Sequence, residues 1–282
     1  MKKILVPTDF SQPAQMAVET GINMAKTTHA ELILLHIVDQ PTSESFNVEG
    51  EVLHDENWGD RLFTLKLIEK AREKLDKVAE VARQSGVTVT QQLRLGNPFH
   101  GIDAVITDHN VDLVVMGTEG HSKLDKMLIG SNTEKVVRHA RCPVMTVHRK
   151  PVTATFKNIV YATAMMEDED KFSKVVTQIQ ALFNSTLHIV LINTPASFQQ
   201  DSLVKRDMQD FARRLQLKNY TLNVFNDYSK EDGILRFADS INADLIAMAT
   251  HGRTGLAHLL SGSIAESVAN QARRPVLTAV VK

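Results

Sequence analysis

At 282 residues the chain is long for one hydrophobic core and comfortable for two domains of ordinary size. A hydrophobic share of 43% and a charged share of 23% fit a globular protein, and a net charge of -1 offers no basic field for nucleic acid. The one cysteine, Cys142, excludes an intrachain disulfide and a multi-cysteine zinc site.

Along the chain, short apolar runs alternate with longer amphipathic stretches, the pattern of βαβ units around a parallel sheet. Residues 3–7 predict the first strand, and Ser11 caps the helix that follows, with Pro13 tolerated in its opening turn. This opening has two lysines but no long apolar run before a small-residue cleavage site, so a cytoplasmic location is expected. The other apolar runs are strand-sized, too short to cross a bilayer. Residues 32–38 predict the second strand. Residues 39–60, rich in Pro, Ser, Asn, Glu and Gly, read as a surface loop whose Phe46 and Trp58 pack on their own domain. A solvated amphipathic helix over 60–84 stops at Gly86. Next come a strand at 87–93, a helix opened by Pro98, a strand at 113–116, a helix opened by Ser131 and a strand at 144–148. Cys142, before Pro143 at a strand entrance, reads as a small buried residue.

After a linker at 149–155 the order repeats, with strands at 158–162, 187–192, 221–225, 245–249 and 276–280. The acidic run 167–170 reads as the first turn of a helix, where carboxylates complement the dipole. Early in the halves equivalent residues lie 155 apart (Ile4 with Ile159, Leu32 with Leu187), and later they lie 132 apart. The first copy therefore carries 23 extra residues between its second and third strands. Residues 112–147 align without a gap to 244–279, with 16 of 36 identical, which marks a duplicated module. The expected domains are 1–148 and 156–282.

One segment of the repeat carries chemistry. Gly117-Thr118-Glu119-Gly120 is followed after nine residues by Gly130-Ser131, so two glycines lie past the end of a strand and a Gly-Ser pair opens a helix. Ligands of open α/β sheets bind outside the carboxyl ends of the strands, and a helix start offers unpaired N–H groups and a positive dipole end to phosphate. Glycines let the backbone approach the phosphates closely. Asp9 closes the first strand and would bring a carboxylate to the same cleft, suited to a ribose hydroxyl or a base amine. Neither G-x-x-x-x-G-K-[ST] nor G-x-G-x-x-G is present. An isolated Gly-x-x-Gly would merely shape a turn; with Gly130-Ser131 and Asp9 in place, the balance tips to a nucleotide site.

At these residues the chain resembles the universal stress protein family in a tandem-domain form. Lys3-Ile4-Leu5-Val6-Pro7-Thr8-Asp9-Phe10-Ser11 is similar to the family's opening strand, Leu35-His36-Ile37-Val38-Asp39 to its second, and Asp112 to Gly120 to the approach to its nucleotide loop. Gly-x2-Gly-x9-Gly-[Ser/Thr] is its ATP-binding pattern. The resemblance implies two doubly wound, Rossmann-like α/β domains, each a five-stranded parallel sheet of order 3-2-1-4-5. It implies ATP, ADP or AMP at the switch point, with or without Mg2+. Asp9 would meet the ribose or adenine and the Ile37 backbone the adenine edge. Gly117, Gly120, Gly130, Ser131 and Asn132 would hold phosphates and ribose, with Pro7, Thr8, Met116 and Thr133 completing the nucleotide-binding set. It also implies an intrachain pseudo-dimer through the fifth strands, and leaves open a homodimer and an unidentified protein partner. His121 departs from the family's Arg or Lys, with Lys123 or Lys126 placed to compensate.

The second copy has Ala164 for Asp9, Ala162 for Pro7 and Ala249 for Gly117, so its nucleotide site is expected to be weak or lost. Gly252, Arg253, Gly262 and Ser263 remain as a residual anion site. The eleven histidines are scattered, with no H-x-x-x-H or H-E-x-x-H pair, so no metal is expected. The expected function is an ATP-binding regulatory protein of the stress response. The alternatives are a slow ATPase or phosphotransferase, for which Glu119 and His121 are the near candidates, and a dimerisation scaffold that binds no nucleotide.

Overall fold

The apolar runs become strands covered on both faces. In a computed structural model the described residues are 1–39, 45–46, 52–53, 58–118, 130–148, 155–251 and 264–281; for 45–46, 52–53, 58–60 and 251 this covers the backbone only. In the first half, β1 (Lys3–Pro7), β2 (Glu31–Val38), β5 (Val89–Leu95), β6 (Leu113–Gly117) and β7 (Val144–Val147) alternate with α1 (Gln12–Thr28), α2 (Trp58–Gln84), α3 (Pro98–His109) and α4 (Ser131–His139). Two short strands, β3 (Ser45–Phe46) and β4 (Val52–Leu53), form an antiparallel pair within the inserted segment. This corrects the plain loop expected over 39–60: the insertion carries its own small hairpin-like pairing, and Trp58 already belongs to α2. The packing of Phe46 and Trp58 lies outside the described residues.

The second half repeats the series as β8 (Asn158–Ala162), α5 (Asp170–Phe183), β9 (Thr186–Asn193), α6 (Asp201–Arg214), β10 (Tyr220–Asn226), α7 (Lys230–Ser240), β11 (Leu245–His251), α8 (Ile264–Gln271) and β12 (Val276–Val281). Local signals act as their chemistry dictates. The Ser11 hydroxyl accepts from the Ala14 N–H (3.3 Å) and caps α1, Asn97 caps α3 through the His100 N–H (3.2 Å), and Ser229 caps α7 through the Asp232 N–H (3.0 Å). Gly86, at φ +82°, takes the left-handed conformation just past α2. Asp112 Oδ2 accepts from the Lys2 and Lys3 N–H groups, and Asp244 Oδ2 accepts likewise from Lys157 and Asn158. The duplication thus extends to single hydrogen bonds.

The larger sheet has ten strands in the order β10-β9-β8-β11-β12-β7-β6-β1-β2-β5. Within each half the strands are parallel and follow the order third-second-first-fourth-fifth, the doubly wound arrangement. The halves meet where β7 and β12 pair antiparallel, Met145 opposite Leu277. These two residues are equivalent in the repeat, so a pseudo-two-fold axis passes between them. Thr146 and Thr278, also equivalent, each donate to a carbonyl across the joint, at Val276 and Val144. One hydrophobic core runs continuously across both halves on the α1/α2 and α5/α6 face, while the opposite face holds a separate core in each half. On that second face Arg138 of α4 reaches Glu266 of α8 with two hydrogen bonds, Nε to Oε1 at 2.7 Å and Nη2 to Oε2 at 2.8 Å. Among the described residues, no helix is long and apolar enough to cross a membrane.

Candidate functional site

The strand order reverses between β1 and β6, and the cleft of the first half opens outside their carboxyl ends. Thr8 continues the β1 pairing, its N–H donating to the Leu35 carbonyl at 2.8 Å. Phe10 then turns the chain sharply at φ 63°, its N–H held by Thr8 Oγ1 (3.1 Å). Asp9 is exposed at this turn, and its Oδ1 accepts from the Ser11 N–H at 2.9 Å. That bond fixes one carboxylate oxygen at the rim of the cleft.

On the other side, Gly117 ends β6. A Cβ placed there would lie 2.4 Å from the Pro13 carbonyl oxygen and 2.5 Å from its carbon, so only glycine lets the start of α1 come this near. The Gly130 N–H donates to the Thr118 carbonyl (2.9 Å), and the Thr133 hydroxyl donates to the Gly117 carbonyl (3.0 Å). These bonds draw the N-terminus of α4 against the end of β6. In contrast to α1 and α3, α4 has Gly130 at its N-cap position and no side-chain cap. Its first-turn N–H groups therefore lie at the cleft without a capping side chain, the arrangement that suits an anion.

The result is a cavity of about 260 Å³. Of the sequence-expected residues it brings together Pro7, Thr8, Asp9, Ile37, Met116, Gly117, Gly130, Ser131, Asn132 and Thr133; Pro98 and Ile102 of α3 complete a wall. Gly120, Glu119, His121, Lys123 and Lys126 lie outside the described residues, as do Gly252, Arg253, Gly262 and Ser263 of the residual anion site. Asp9 is the only carboxylate among the cavity's described lining residues. Apolar walls, one carboxylate and an uncapped helix start offer a cavity with a hydrogen-bond acceptor at one side and N–H groups suited to an anion at the other. No group of three His, Cys, Asp or Glu side chains that could hold a metal occurs among the described residues.

Behind the cleft, the His36 ring lies over Phe10 (centroids 4.4 Å apart) and its Nδ1 donates to the Thr8 carbonyl at 2.7 Å. Burial lowers the His36 pKa below the usual imidazole value, against the raising effects of the Thr8 carbonyl and the Asp9 charge. The neutral ring therefore braces the turn that presents Asp9.

The equivalent cleft of the second half is built differently. Met165, at φ 62°, repeats the turn of Phe10, and Thr163 repeats the support of Thr8. A 3-10 turn over Glu167–Glu169 stands where α1 begins in the first copy, and α5 starts only at Asp170. Ala249 at the Gly117 position carries the Cβ that would strike Pro13 in the first half, and the helix start is reshaped at that place.

Glu169 is a residue that sequence reasoning missed. The acidic run forms a 3-10 turn that leads into α5 at Asp170 instead of the first turn of the helix itself, and within it Glu169 turns inward, 1% exposed. Its Oε1 accepts from the Ala164 (3.2 Å) and Met166 (3.3 Å) N–H groups, and its Oε2 from Thr163 Oγ1 (2.6 Å) and Tyr161 Oη (3.2 Å). It takes over the backbone role of Asp9 and is spent within the protein. The available signal was its position: Glu169 stands where the first copy has the buried Ala14.

The chain and its fold have known relatives. A family model described as "Universal stress protein family" matches residues 1–148 and again 155–280. The chain belongs to the universal stress protein family. A universal stress protein of Methanocaldococcus jannaschii is 35% identical over 150 residues, 53% of this chain and 83% of that protein. A putative universal stress protein of Staphylococcus aureus is 32% identical over 168 residues, 59% of this chain and 95% of that protein. The crystal structure of a universal stress protein from Archaeoglobus fulgidus shares the fold with a TM-score of 0.77 at 20% identity, covering 99% of this chain and 96% of that one.

Proposed function

We propose that residues 1–148 of this universal stress protein form a domain that binds one adenine nucleotide, foremost ATP, with or without Mg2+, and that the occupied state regulates a protein partner in the cytoplasm. Residues 156–282, joined through 149–155, form the second domain and pair with the first as a pseudo-dimer. The observation that carries the proposal is the uncapped start of α4 at Gly130–Ser131 facing the same cavity as Asp9. Asp9 takes a ribose hydroxyl or the adenine amine, and the Ile37 backbone meets the adenine edge. Gly117, Gly130, Ser131 and Asn132, with Gly120, hold ribose and phosphates, while Pro7, Thr8, Met116 and Thr133 form the walls. At about 260 Å³ the cavity is just below the ~300–1,000 Å³ range of sites for drug-sized ligands. That size suits the nucleoside, with the phosphates reaching outward past the helix start.

Phosphoryl transfer needs a positioned nucleophile and a cation clamp in addition to a phosphate cradle. The residues named above for that role, Glu119 and His121 with Lys123 or Lys126, lie outside the described residues, so the proposal is one of binding and turnover is left to experiment. Calorimetric titration of ATP, ADP and AMP into wild type and Gly130→Val, with phosphate release followed in the same samples, tests it. One site that Gly130→Val removes, with negligible turnover, is expected. A wild-type protein that takes up no nucleotide would leave only the scaffold role, and rapid phosphate release would make the protein an enzyme.

A further inference from the structure

The second half holds a cavity of about 600 Å³ in the position equivalent to the nucleotide cleft, extended over the strand ends towards α6. At three equivalent positions its lining changes from polar to apolar. Where the first cleft has Asp9, Asn132 and Thr133, the second has Ala164, Ile264 and Ala265. Asp9 and Asn132, assigned above to ribose, base or phosphate, are here a methyl and a butyl group, and the Thr133 hydroxyl that holds the Gly117 carbonyl is a methyl group. What remains polar at the inner end is already engaged: Thr163 Oγ1 donates to Glu169 and accepts from the Met165 N–H, and Thr250 Oγ1 donates to the Ala279 carbonyl. Glu169, with four donors, has no capacity left for a ligand. An adenosine placed here would lack the partners that Asp9 and Asn132 offer in the first cleft.

One change runs the other way. Pro98 of the first cleft is replaced by Lys230, the first residue of α7, which lines the second cavity. A cation at a helix N-terminus opposes the dipole, so helix stability does not account for it. Lys230 makes no hydrogen bond or ion pair with any described residue. The other charged side chains of the lining are engaged elsewhere: Arg214 with Asp170 (3.1 Å), Asp207 with Arg206 (3.3 Å), Asp210 with Arg213 (3.0 Å), and Glu169 as above. Lys230, exposed to solvent, is thus a cation of the lining with no protein partner among the described residues, next to the apolar part of the chamber at Ile192 and Ile234.

We propose that the second cleft is a binding site for a small amphipathic monocarboxylate, its apolar body between Ile192 and Ile234 and against Ile264, its carboxylate paired with Lys230. The duplication has then yielded two sites of different chemistry, one for a nucleotide and one for an apolar acid. This does not rest on the nucleotide reading of the first half.

The test uses the full chain and decanoate below its micelle concentration, titrated calorimetrically into wild type, Lys230→Met and Ala164→Asp, with 1-decanol as the uncharged probe. One decanoate per chain is expected. Lys230→Met should weaken decanoate about tenfold and leave 1-decanol unchanged, and Ala164→Asp, which puts a carboxylate into the apolar chamber, should weaken both probes. Asp9→Ala should leave decanoate binding as in wild type. The proposal is overturned if wild type takes up no decanoate, if decanoate binds Lys230→Met and Ala164→Asp as tightly as wild type, or if Asp9→Ala abolishes its binding.

Discussion

Gly117→Ala is the sharpest probe of the first cleft, because the obstacle to a methyl group there is backbone. The added Cβ would stand 2.4 Å from the Pro13 carbonyl oxygen, 2.5 Å from its carbon and 2.9 Å from the Pro13 Cβ. Carbon contacts become comfortable at about 3.5 Å, so β6 and the start of α1 must part by roughly 1 Å. Overpacking of this kind costs about 1–3 kcal/mol. Loss of the glycine's freedom in the unfolded chain returns about 0.4–1 kcal/mol. A net loss of about 1–2 kcal/mol follows. With an m-value of about 2 kcal/mol/M in urea, the midpoint of the unfolding step of the first half falls by roughly 0.5–1 M. The same displacement moves the turn that Ser11 and Asp9 share, so ATP affinity falls together with stability. The reverse change, Ala249→Gly, relieves no clash and costs about 0.5–1 kcal/mol through backbone entropy. Urea unfolding followed by circular dichroism on both variants decides the matter: Gly117→Ala as stable as wild type would refute the steric reasoning.

Arg138→Ala removes two hydrogen bonds from the nearly buried Glu266 across the joint of the halves, and should cost about 1–2 kcal/mol in the same urea assay, allowing for the half-exposed arginine. Unchanged stability would mean that the pair contributes nothing beyond its solvated equivalent. For His36 the folded pKa is lowered, chiefly by burial, so the unfolded chain binds the proton more readily. The contribution is complete above the unfolded value of about 6.5 and is lost as pH falls towards the folded one. Thermal melts between pH 7.5 and 5 should therefore fall less steeply for His36→Asn, whose amide can still donate to the Thr8 carbonyl; parallel profiles would contradict this. Burial pushes the Cys142 thiol up to about 12. A thiol-specific disulfide reagent at neutral pH should leave it untouched in the native protein and modify it promptly in denaturant, whereas fast native reaction would place it at the surface.

Much of the fold was legible because the physics that sets it is local or repeated. Near-continuous apolar runs such as Ile4-Leu5-Val6 have no reading other than strands covered on both faces, and all three are fully buried. Ser11, Pro13, Pro98 and Gly86 punctuate helices by fixed rules, and each does so at its expected place. The antiparallel joint of β7 and β12 followed from the family resemblance rather than from any pattern in those strands. In the described part of the cleft, Asp9, Gly117 and Gly130-Ser131 were placed by spacing at strand ends and a helix start, whereas Pro7, Thr8, Ile37, Met116, Asn132 and Thr133 came from the family resemblance. Glu169 was not legible: an acidic run has a sufficient explanation in the helix dipole, and only the tertiary fold shows one of its four carboxylates turning inward. The short β3–β4 pair escaped for a related reason, since two-residue strands carry no periodicity. Nothing in the sequence sets Lys230 apart from the other lysines; only the cavity beside it does.

The central claim is one nucleotide per chain, held in the first half. Equilibrium dialysis of labelled ATP against the full chain, compared with Asp9→Ala, measures it most directly. Saturation at one ATP per chain is expected in wild type, with affinity reduced in Asp9→Ala. Saturation at two equivalent sites, or binding that Asp9→Ala leaves intact, would contradict it.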